Sequence, residues 1–372
     1  MRILVLIQCT NLGGMEQSAL LLMDELKAMG HAVELISINE LGALKKVLEE
    51  HDIPATGVGY HGTMGWRSFF PLKRVLRSKK ADALIMVGHN LMAMLALGSF
   101  CRGNRILTLH FHHEGVKSNM GWRFLYAVSR WRFNRITYPT RFIADEALEI
   151  VPGMRKIVRV IPYPFVLPPG REGNAKVEAR TRLGIDPDCK LIGNAGWLIP
   201  RKRWDVFIGV AAQVAAVMPE ARFVIAGEGP EKQNLLKLAE ELGIQDRIFW
   251  LGWCDQLDDF YRALDVMLFN SDWDALGRTP LEAMSFGVPV VASVLHGGLK
   301  EVIDSKEFGF LLDRHDLKEL SSAVVNLLQN GSEAEKIGEK GRIRVRDIGS
   351  PRAHASSVLE LLTIKGSPSK GE

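Results

Sequence analysis

Two acidic side chains, Asp274 and Glu282, lie eight residues apart in the segment DALGRTPLEAMSFGVPVVA. Glu282 fits a structural role, because Thr279 and Glu282 have the spacing of a capping box with Pro280 at the first helical position. A capping box uses only one carboxylate and leaves Asp274 unexplained. The segment follows a short apolar run and opens a helix, so we expect both acids to point into one ligand cleft.

Two glycine-bearing turns stand where backbone amides can meet an anionic ligand. Gly13 and Gly14 follow the first apolar run and open a helix, and Gly227 has the same place in the second half of the chain. Glycine lets a backbone approach a ligand, and a helix N-terminus favours an anion. Neither turn has the GxGxxG spacing of a dinucleotide site, and each also fits an ordinary strand-to-helix turn.

The elements that must position these residues follow a repeating pattern. Short runs rich in Val, Ile and Leu alternate with longer segments of helical spacing, and the alternation begins twice. It is typical of parallel sheets covered on both faces. The Pro- and Gly-rich segment Tyr163–Gly173 marks a linker. We predict two doubly wound α/β domains, residues 1–165 and 166–350, with ligands in a cleft at the carboxyl ends of the strands.

Composition restricts the class of protein. Of the 372 residues, 47% are hydrophobic and 24% charged, as in ordinary globular proteins. The four cysteines are scattered without CxxC spacing, which argues against a zinc site or a disulfide framework. The N-terminal MRILVLIQC is too short to span a membrane and is expected to be a buried strand. We therefore expect an uncleaved cytoplasmic protein.

The first half of the chain is the basic half. Residues 1–165 hold 21 Lys and Arg against 13 Asp and Glu, whereas residues 166–372 hold 26 against 30. Segments 66–80 and 121–135 interleave aromatic and basic residues, which suits an anionic membrane surface or an acidic lipid-linked glycan. The alternative is that the aromatic residues are core and the arginines ordinary surface. A nucleic acid would also be attracted by this positive charge. The sequence has no recognised nucleic-acid-binding motif, and we expect no such partner.

The order of several motifs resembles the family-4 retaining glycosyltransferases of the GT-B fold. The motifs are Gly13–Glu16, GWLIPRK (196–202), AGEGPE, FWLGW, Asp274-x7-Glu282 with EAMSFGVPVVAS, and Gly297–Ile303. The resemblance covers nearly the whole chain and is strongest between residues 190 and 312. It implies two Rossmann-like domains facing across a cleft, with a C-terminal helix in residues 351–372 crossing back to the first domain.

The resemblance also implies roles for single residues on the donor side. The second acid, Glu282, is expected to bind the ribose hydroxyls of a nucleotide-diphosphate sugar, and Asp274 the hydroxyls of the donor sugar. Asp274 is one methylene shorter than the usual Glu, and Asp272 is near enough to share its role. The remaining expected donor contacts are the backbone amides of Arg278 and Thr279 and the turns at Gly13, Gly14, Gly196, Gly227 and Gly252.

A basic loop is expected to neutralise the leaving diphosphate. Lys202 matches the family lysine, whereas Trp197 stands where the family has an arginine. Arg201 or Arg203 is a candidate for the missing charge, and each also fits a solvated surface position. A cation at this point takes the place of a metal, and no DxD motif has metal-ligand context. We therefore predict a metal-independent enzyme without cofactors.

His110 ends a strand in the first half and matches a histidine that this family often has near the donor sugar and acceptor. It is a candidate for hydrogen bonding to the sugar or for moving a proton. A structural histidine is the alternative. Adjacent His112 and His113 have poor metal-site spacing, since neighbours on an extended chain point to opposite sides.

Together these features predict a retaining glycosyltransferase with catalytic residues His110, Lys202 and Asp274. A UDP-sugar is favoured over a GDP-sugar as donor, and the acceptor is a hydroxyl of a glycan or lipid-linked glycan in cell-surface polysaccharide or lipopolysaccharide assembly. The cytoplasmic enzyme is expected at the inner face of the membrane. The alternatives are a GT-B nucleotide-sugar hydrolase or epimerase and a catalytically silent nucleotide-sugar-binding protein. The sequence gives no indication of oligomeric state.

Overall fold

A computed structural model of the protein describes residues 1–8, 14–42, 44–59, 66–98, 103–109, 119–169, 173–254 and 256–364. The chain divides into two compact units. Unit 1 comprises Met1–Phe165 together with the residues from Gly349 onward, and unit 2 comprises Val166–Ile348.

Unit 1 is built on a parallel sheet, seven-stranded within the described residues, in the order β3-β2-β1-β4-β5-β6-β7. Its strands are Arg2–Ile7 (β1), Ala32–Ser37 (β2), Ala55–Gly57 (β3), Ala83–Val87 (β4), Arg105–Thr108 (β5), Arg135–Tyr138 (β6) and Val158–Val160 (β7). Its connecting helices are Gly14–Ala28 (α1), Leu44–Glu50 (α2), Trp66–Ser78 (α3), Leu91–Ala96 (α4), Asn119–Arg132 (α5) and Arg141–Ile150 (α6).

Unit 2 repeats the arrangement with a six-stranded parallel sheet in the order β10-β9-β8-β11-β12-β13, again within the described residues. Its strands are Lys190–Ala195 (β8), Ala221–Ala226 (β9), Ile248–Gly252 (β10), Val266–Asp274 (β11), Val290–Gly297 (β12) and Phe310–Leu312 (β13). Its helices are Ala175–Arg182 (α7), Trp204–Val217 (α8), Lys232–Glu241 (α9), Asp258–Ala263 (α10), Arg278–Ser285 (α11), Leu317–Gln329 (α12) and Gly331–Gly349 (α13).

The last helix, Pro351–Thr363 (α14), packs against α1 in unit 1. Ser350 caps its N-terminus through a bond from Ala353 N, and Pro351 occupies the first turn, where a missing N–H costs nothing. The buried side chains Ala355, Val358 and Leu362 lie in the same apolar cluster as the strands of unit 1.

The apolar runs of the sequence fold as central strands because both faces of each sheet are covered. All five residues of β4 are buried, as are the first six of β11, and the helices supply the matching apolar faces. This confirms the prediction of two doubly wound, parallel α/β domains. Within the described residues, no helix combines the length and apolar character needed to cross a membrane.

Candidate functional site

Lys202 and Asp274 meet at the carboxyl edge of the unit 2 sheet. Asp274 ends β11, and Lys202 ends a 3-10 turn, Pro200–Lys202, that follows β8, the neighbouring strand. Lys202 Nζ donates to Asp274 Oδ2, and the two side chains are only 19% and 14% exposed. The other carboxylate oxygen, Oδ1, accepts a bond from Gly277 N at 2.9 Å. Both predicted groups therefore lie together, with the ammonium held by the carboxylate.

Glu282 is held in a second charged pair on the helix that follows β11. Arg278 Nε donates to Glu282 Oε1 at 2.6 Å, and the hydroxyl of Tyr261 donates to Oε2 at 2.7 Å. Each oxygen retains acceptor capacity for a further donor, and the carboxylate is about one quarter exposed. Glu282 is thus fixed in place while one side remains open to solvent.

The capping-box interpretation of Glu282 is wrong. Helix α11 begins at Arg278, its N-cap is Gly277 with φ 76°, and no side chain caps it. Thr279 therefore lies inside the first turn, where its side chain cannot act as an N-cap. A glycine takes the cap because the left-handed conformation there disfavours other residues. Capping therefore does not explain Glu282, whose carboxylate instead pairs with Arg278 and Tyr261.

The electrostatics around Glu282 keep Tyr261 protonated. Two effects raise the pKa of Tyr261 well above its ordinary value: mainly burial, and to a lesser extent the negative charge of the neighbouring Glu282 carboxylate. The phenol therefore remains a hydrogen-bond donor throughout the physiological range. Sequence reasoning missed Tyr261, because a tyrosine in the apolar face of α10 gives no sign of its partner 21 residues later.

Arg201 and Arg203 hold the basic turn against β11. Arg201 Nη1 donates to the backbone oxygen of Trp273 at 3.1 Å, and Arg203 Nη1 donates to Asp272 Oδ1 at 3.1 Å. Arg203 adopts a left-handed φ of 46°, and hydrogen bonds from its guanidinium to Asp205 and Asp272 raise its pKa above the ordinary value. These arginines thus position the turn that carries Lys202.

A polar chain behind the turn was also missed by the sequence analysis. His315 Nε2 lies 3.0 Å from Asp272 Oδ1, and Nδ1 lies 2.7 Å from the buried Ser293 Oγ. Asn270 Nδ2 donates to the same hydroxyl at 2.8 Å. Asp272 is therefore engaged by Arg203 and His315. Only the position of the histidine just after an apolar run, at a strand end, signalled its proximity to the site.

The glycine turns of unit 2 lie at the same sheet edge as Lys202 and Asp274. Gly196 N donates to Ala226 O at 2.9 Å, and a Cβ on Gly227 would stand 1.9 Å from the Gly196 carbonyl oxygen. No side chain fits at that separation, so the two turns can pack only because position 227 is glycine. Gly252 ends β10 on the other side of β9. The predicted turns at 196, 227 and 252 therefore lie along one sheet edge.

In unit 1 the structure describes only part of the predicted site. Gly14 begins α1, whereas Gly13 and His110 lie outside the described residues. A cavity of about 190 Å³ is present at the carboxyl ends of β1 and β4, and its lining includes Glu16 and His89. Glu16 is only 8% exposed. His89 was missed, although its place directly after Gly88 and a buried strand is the kind of position where ligands bind.

A larger cavity, about 600 Å³, lies at the opposite edge of unit 2 and is lined in part by Lys190, Asp265 and Pro289. These residues stand at the amino ends of β8, β11 and β12. Asp265 is already bound by Lys176 and Arg180. Because ligands of doubly wound sheets bind outside the carboxyl ends, the Lys202 edge is the stronger candidate site. Among the described residues, no cluster of three or more His, Cys, Asp or Glu could hold a metal ion.

Comparison with known proteins identifies both units. Residues 12–165 match the model "Glycosyltransferase Family 4", and residues 176–344 match "Glycosyl transferases group 1". A lipopolysaccharide core biosynthesis mannosyltransferase, LpsB, of Rhizobium meliloti is 33% identical over 162 residues, covering 42% of this chain and 46% of the relative. A D-inositol 3-phosphate glycosyltransferase of Acidothermus cellulolyticus is 34% identical, covering 46% and 42%. The chain spans about half the length of the curated relatives it matches.

Solved structures share the fold over almost the whole chain. Anabaena Alr3699/HepE in complex with UDP has a TM-score of 0.84 at 19% identity, covering 98% of this chain and all of the other. Its complex with UDP-glucose has a TM-score of 0.82 at 20% identity, covering 98% and 99%. At this identity the likeness shows the fold, and the two family models supply the membership. The chain belongs to the family-4 type of glycosyltransferases with the GT-B fold.

Proposed function

We propose that this protein is a retaining glycosyltransferase that moves a sugar from a UDP-sugar to a hydroxyl acceptor. The observation that carries the proposal is the pair of charged centres at one sheet edge of unit 2, Lys202 with Asp274 and Arg278 with Glu282. Bound UDP and UDP-glucose in the structural relatives support a nucleotide-sugar donor. Membership of the family supports the transfer reaction.

Lys202 is proposed to neutralise the diphosphate. The Lys202 ammonium donates to Asp274 and lies 5.0 Å from the centre of the Phe269 ring. A diphosphate offers the lysine a stronger anionic partner, and the exchange leaves the Asp274 carboxylate free to accept bonds from donor-sugar hydroxyls. Both groups are mostly buried, so their charges are weakly screened. One ion pair thus supplies the cation for the diphosphate and the carboxylate that accepts hydrogen bonds from the sugar hydroxyls.

Glu282 is proposed to bind the ribose hydroxyls of the donor. Its carboxylate accepts from Tyr261 and Arg278 and retains lone pairs for two further donors. The backbone amides of Arg278 and Thr279 belong to the first turn of α11, where N–H groups have no acceptor within the helix and favour a phosphate. The donor would therefore lie along the edge between Lys202 and Glu282.

The proposed reaction is a displacement on one face of the sugar. The bond between the anomeric carbon and the diphosphate oxygen breaks, and a bond from the acceptor hydroxyl oxygen forms on the same face. The acceptor proton passes to the departing diphosphate, which leaves as UDP. No protein nucleophile is required, and the residues contribute orientation and charge stabilisation. We further propose that Lys202 takes the role a metal has in other transferases.

Lipopolysaccharide core or related glycan assembly is the proposed setting. Its support comes from relatives such as LpsB and LpsE of Rhizobium meliloti, which are described as lipopolysaccharide core biosynthesis enzymes. The acceptor would then be a glycan hydroxyl, lipid-linked or free. A cavity beside Glu16 and His89 in the described part of unit 1 is our candidate for the acceptor side.

The direct test is transfer by purified protein from a panel of UDP- and GDP-sugars to lipopolysaccharide core oligosaccharides, with and without EDTA. We expect acceptor-dependent UDP release, a product with the donor's anomeric configuration, and no effect of EDTA. Acceptor-independent release would indicate a hydrolase, and binding without release a silent binding protein. An inverted product would overturn the retaining mechanism, and loss of activity in EDTA would overturn metal independence.

We also propose that the outer face of α5 rests on an anionic membrane. Met120, Phe124 and Trp131 are 79%, 60% and 71% exposed, and their spacing places them on one stripe of the helix. Arg123 and Arg130 are exposed beside the stripe. Helix α5 contains no acidic residue, and neither does α3, the other helix in which aromatic and basic residues alternate. Apolar rings flanked by arginines match the chemistry of an interface with anionic lipid.

Flotation with phosphatidylglycerol-containing vesicles tests this surface. Phe124→Ser with Trp131→Ser, and separately Arg123→Gln with Arg130→Gln, should each reduce vesicle binding several-fold. Val217→Ser is the matched control, since Val217 is 65% exposed on unit 2. Arg132 and Arg135 are poor probes, because their guanidinium groups donate to the backbone at Gly98 and Asn134. Equal binding by all variants would overturn the proposal.

A further inference from the structure

Two exposed tryptophans stand together at the carboxyl edge of unit 2. Trp197 follows β8 and is 56% exposed, and Trp253 follows β10 and is 54% exposed. Their ring centroids are 4.8 Å apart, with the planes inclined at 44°. Indole rings are normally well covered, as Trp122 and Trp204 are in this protein at 3% and 2% exposure. An adjacent exposed pair forms an apolar, electron-rich surface that fits a flat ligand.

The backbone beneath Trp197 is rigid. Its carbonyl oxygen accepts a bond from Trp204 Nε1 at 2.9 Å, and Leu198 N donates to Glu228 O at 2.9 Å. Gly229 packs so closely on this segment that a Cβ there would stand 2.4 Å from Leu198 O. The ring is therefore presented from a fixed loop, which limits the entropy lost when a ligand stacks on it.

The position of the pair along the edge relates it to the charged centres. The strand order β10-β9-β8-β11 places Trp253 and Trp197 on the β10 side of the Lys202–Asp274 pair. Glu282 is tied through Tyr261 to α10, the helix that follows β10. Trp197 belongs to the same loop after β8 as Lys202, so a ligand with its diphosphate at Lys202 and its ribose hydroxyls at Glu282 can carry its base to the tryptophans.

We propose that Trp197 and Trp253 form the platform on which the nucleobase of the donor stacks. This rests on the proposed function of the same edge. The chain has an aromatic ring at 197 where the resemblance places an arginine for the diphosphate, so one charge contact is exchanged for a base contact. Affinity should then depend more on the base and less on the diphosphate, since stacking on an aromatic side chain contributes about 1–3 kcal/mol per base.

Calorimetric titration of full-length protein with UDP and with inorganic pyrophosphate, which lacks the base, tests the platform. Trp197→Ala and Trp253→Ala should each weaken UDP binding by about 10- to 100-fold and leave pyrophosphate binding unchanged. Trp197→Phe and Trp253→Phe, which keep a ring, should lose less. Val217→Ala is the control, because Val217 is exposed at the last residue of α8 and belongs to neither proposed binding surface. Circular dichroism and Tm show whether each variant is folded.

Other outcomes separate this proposal from the function on which it rests. Unchanged UDP affinity in both alanine variants, with a loss in Glu282→Ala, would place the base elsewhere and leave the donor site intact. Equal weakening of UDP and pyrophosphate would show a general disturbance of the edge and overturn the stacking role. If wild-type protein bound no UDP, GDP or ADP, the donor site and the platform would both be overturned.

Discussion

The two units use the same parallel scaffold but place their chemistry differently. In unit 2 the charged groups converge on the carboxyl edge, where Lys202 pairs with Asp274 and Arg278 with Glu282. In unit 1 the described edge has a small cavity near Glu16, while exposed rings and arginines occupy the outer face of α5. A doubly wound sheet thus offers two independent surfaces, strand ends for a small ligand and helix faces for a larger partner.

The largest difference between the two units is expected when the Lys202 cation of unit 2 is removed. Lys202→Ala is expected to lower turnover of the donor by about 100- to 1,000-fold, because the diphosphate would leave without its main stabilising charge. The measurement is the rate of UDP release with a working donor and acceptor. Lys202→Arg is the control that keeps the charge. Neutralising Arg130 on α5 should leave this rate unchanged with a soluble acceptor, and a rate within twofold of wild type for Lys202→Ala would contradict the site.

Substitution of one glycine in each unit tests whether the binding edge is confined to unit 2. A Cβ on Gly227 would stand 1.9 Å from Gly196 O, and a Cβ on Gly103 would stand 1.8 Å from Asp82 O. Alanine at either position forces the backbone to move and should cost about 1–3 kcal/mol of unfolding free energy, measured by denaturant titration. Only Gly227→Ala is expected to lower UDP affinity as well. An equal loss of affinity in Gly103→Ala would show that the binding edge is not confined to unit 2.

The bond from Tyr261 to Glu282 should contribute to both stability and binding. Tyr261 is 2% exposed, and a hydrogen bond to a carboxylate contributes about 1.5–3 kcal/mol. Tyr261→Phe is therefore expected to destabilise unit 2 by that order and to weaken UDP binding a few-fold, because Glu282 loses one of its two anchors. A double-mutant cycle with Glu282→Gln measures the coupling. Additive effects would show that the bond does not position the carboxylate.

A smaller effect is expected from a histidine in unit 1. His354 Nδ1 lies 2.7 Å from Pro162 O, and burial lowers the pKa of His354 below its ordinary 6.5, opposed in part by that carbonyl. The unfolded chain therefore takes up the proton first as the pH falls below about 6.5, and stability decreases until the folded-state pKa is passed. His354→Gln, which keeps an amide donor, should remove this part of the pH dependence.

Unfolding midpoints of wild type and His354→Gln between pH 7.5 and 5 measure the effect. The stability of wild type relative to the variant should fall towards low pH. A constant difference across this range would mean that His354 titrates equally in the folded and unfolded states.

The fold and part of the site were predictable from sequence because they depend on local order. Apolar runs with helical segments between them give the alternation of a doubly wound sheet, and the family motifs give the positions of Lys202, Asp274 and Glu282. Contacts between distant segments could not be predicted in this way. Lys202 meets Asp274 across 72 residues, and Tyr261 meets Glu282 across 21. Local spacing even misled at Thr279, since a glycine conformation sets the start of α11.

The side-chain contacts that no local pattern predicts depend on the order of the strands. Trp197 and Trp253 become neighbours only because β8 and β10 flank β9, and His315 reaches Asp272 only because β13 and β11 flank β12. The resemblance marked Trp197 only as a replaced arginine and gave no indication of its contact with Trp253. The three-dimensional arrangement therefore adds the partners of the predicted site, while the predicted roles of the site residues stay open to experiment.

The most direct test of the donor site is the thermal unfolding of wild type and Glu282→Ala with UDP, GDP or ADP. Ligand at about 100 times its Kd stabilises the folded state by roughly 2.7 kcal/mol, which raises Tm measurably. We expect UDP to raise the Tm of wild type and to have little effect on Glu282→Ala. An equal shift in both proteins, or no shift with any of the three nucleotides, would contradict a donor site at the carboxyl edge of unit 2.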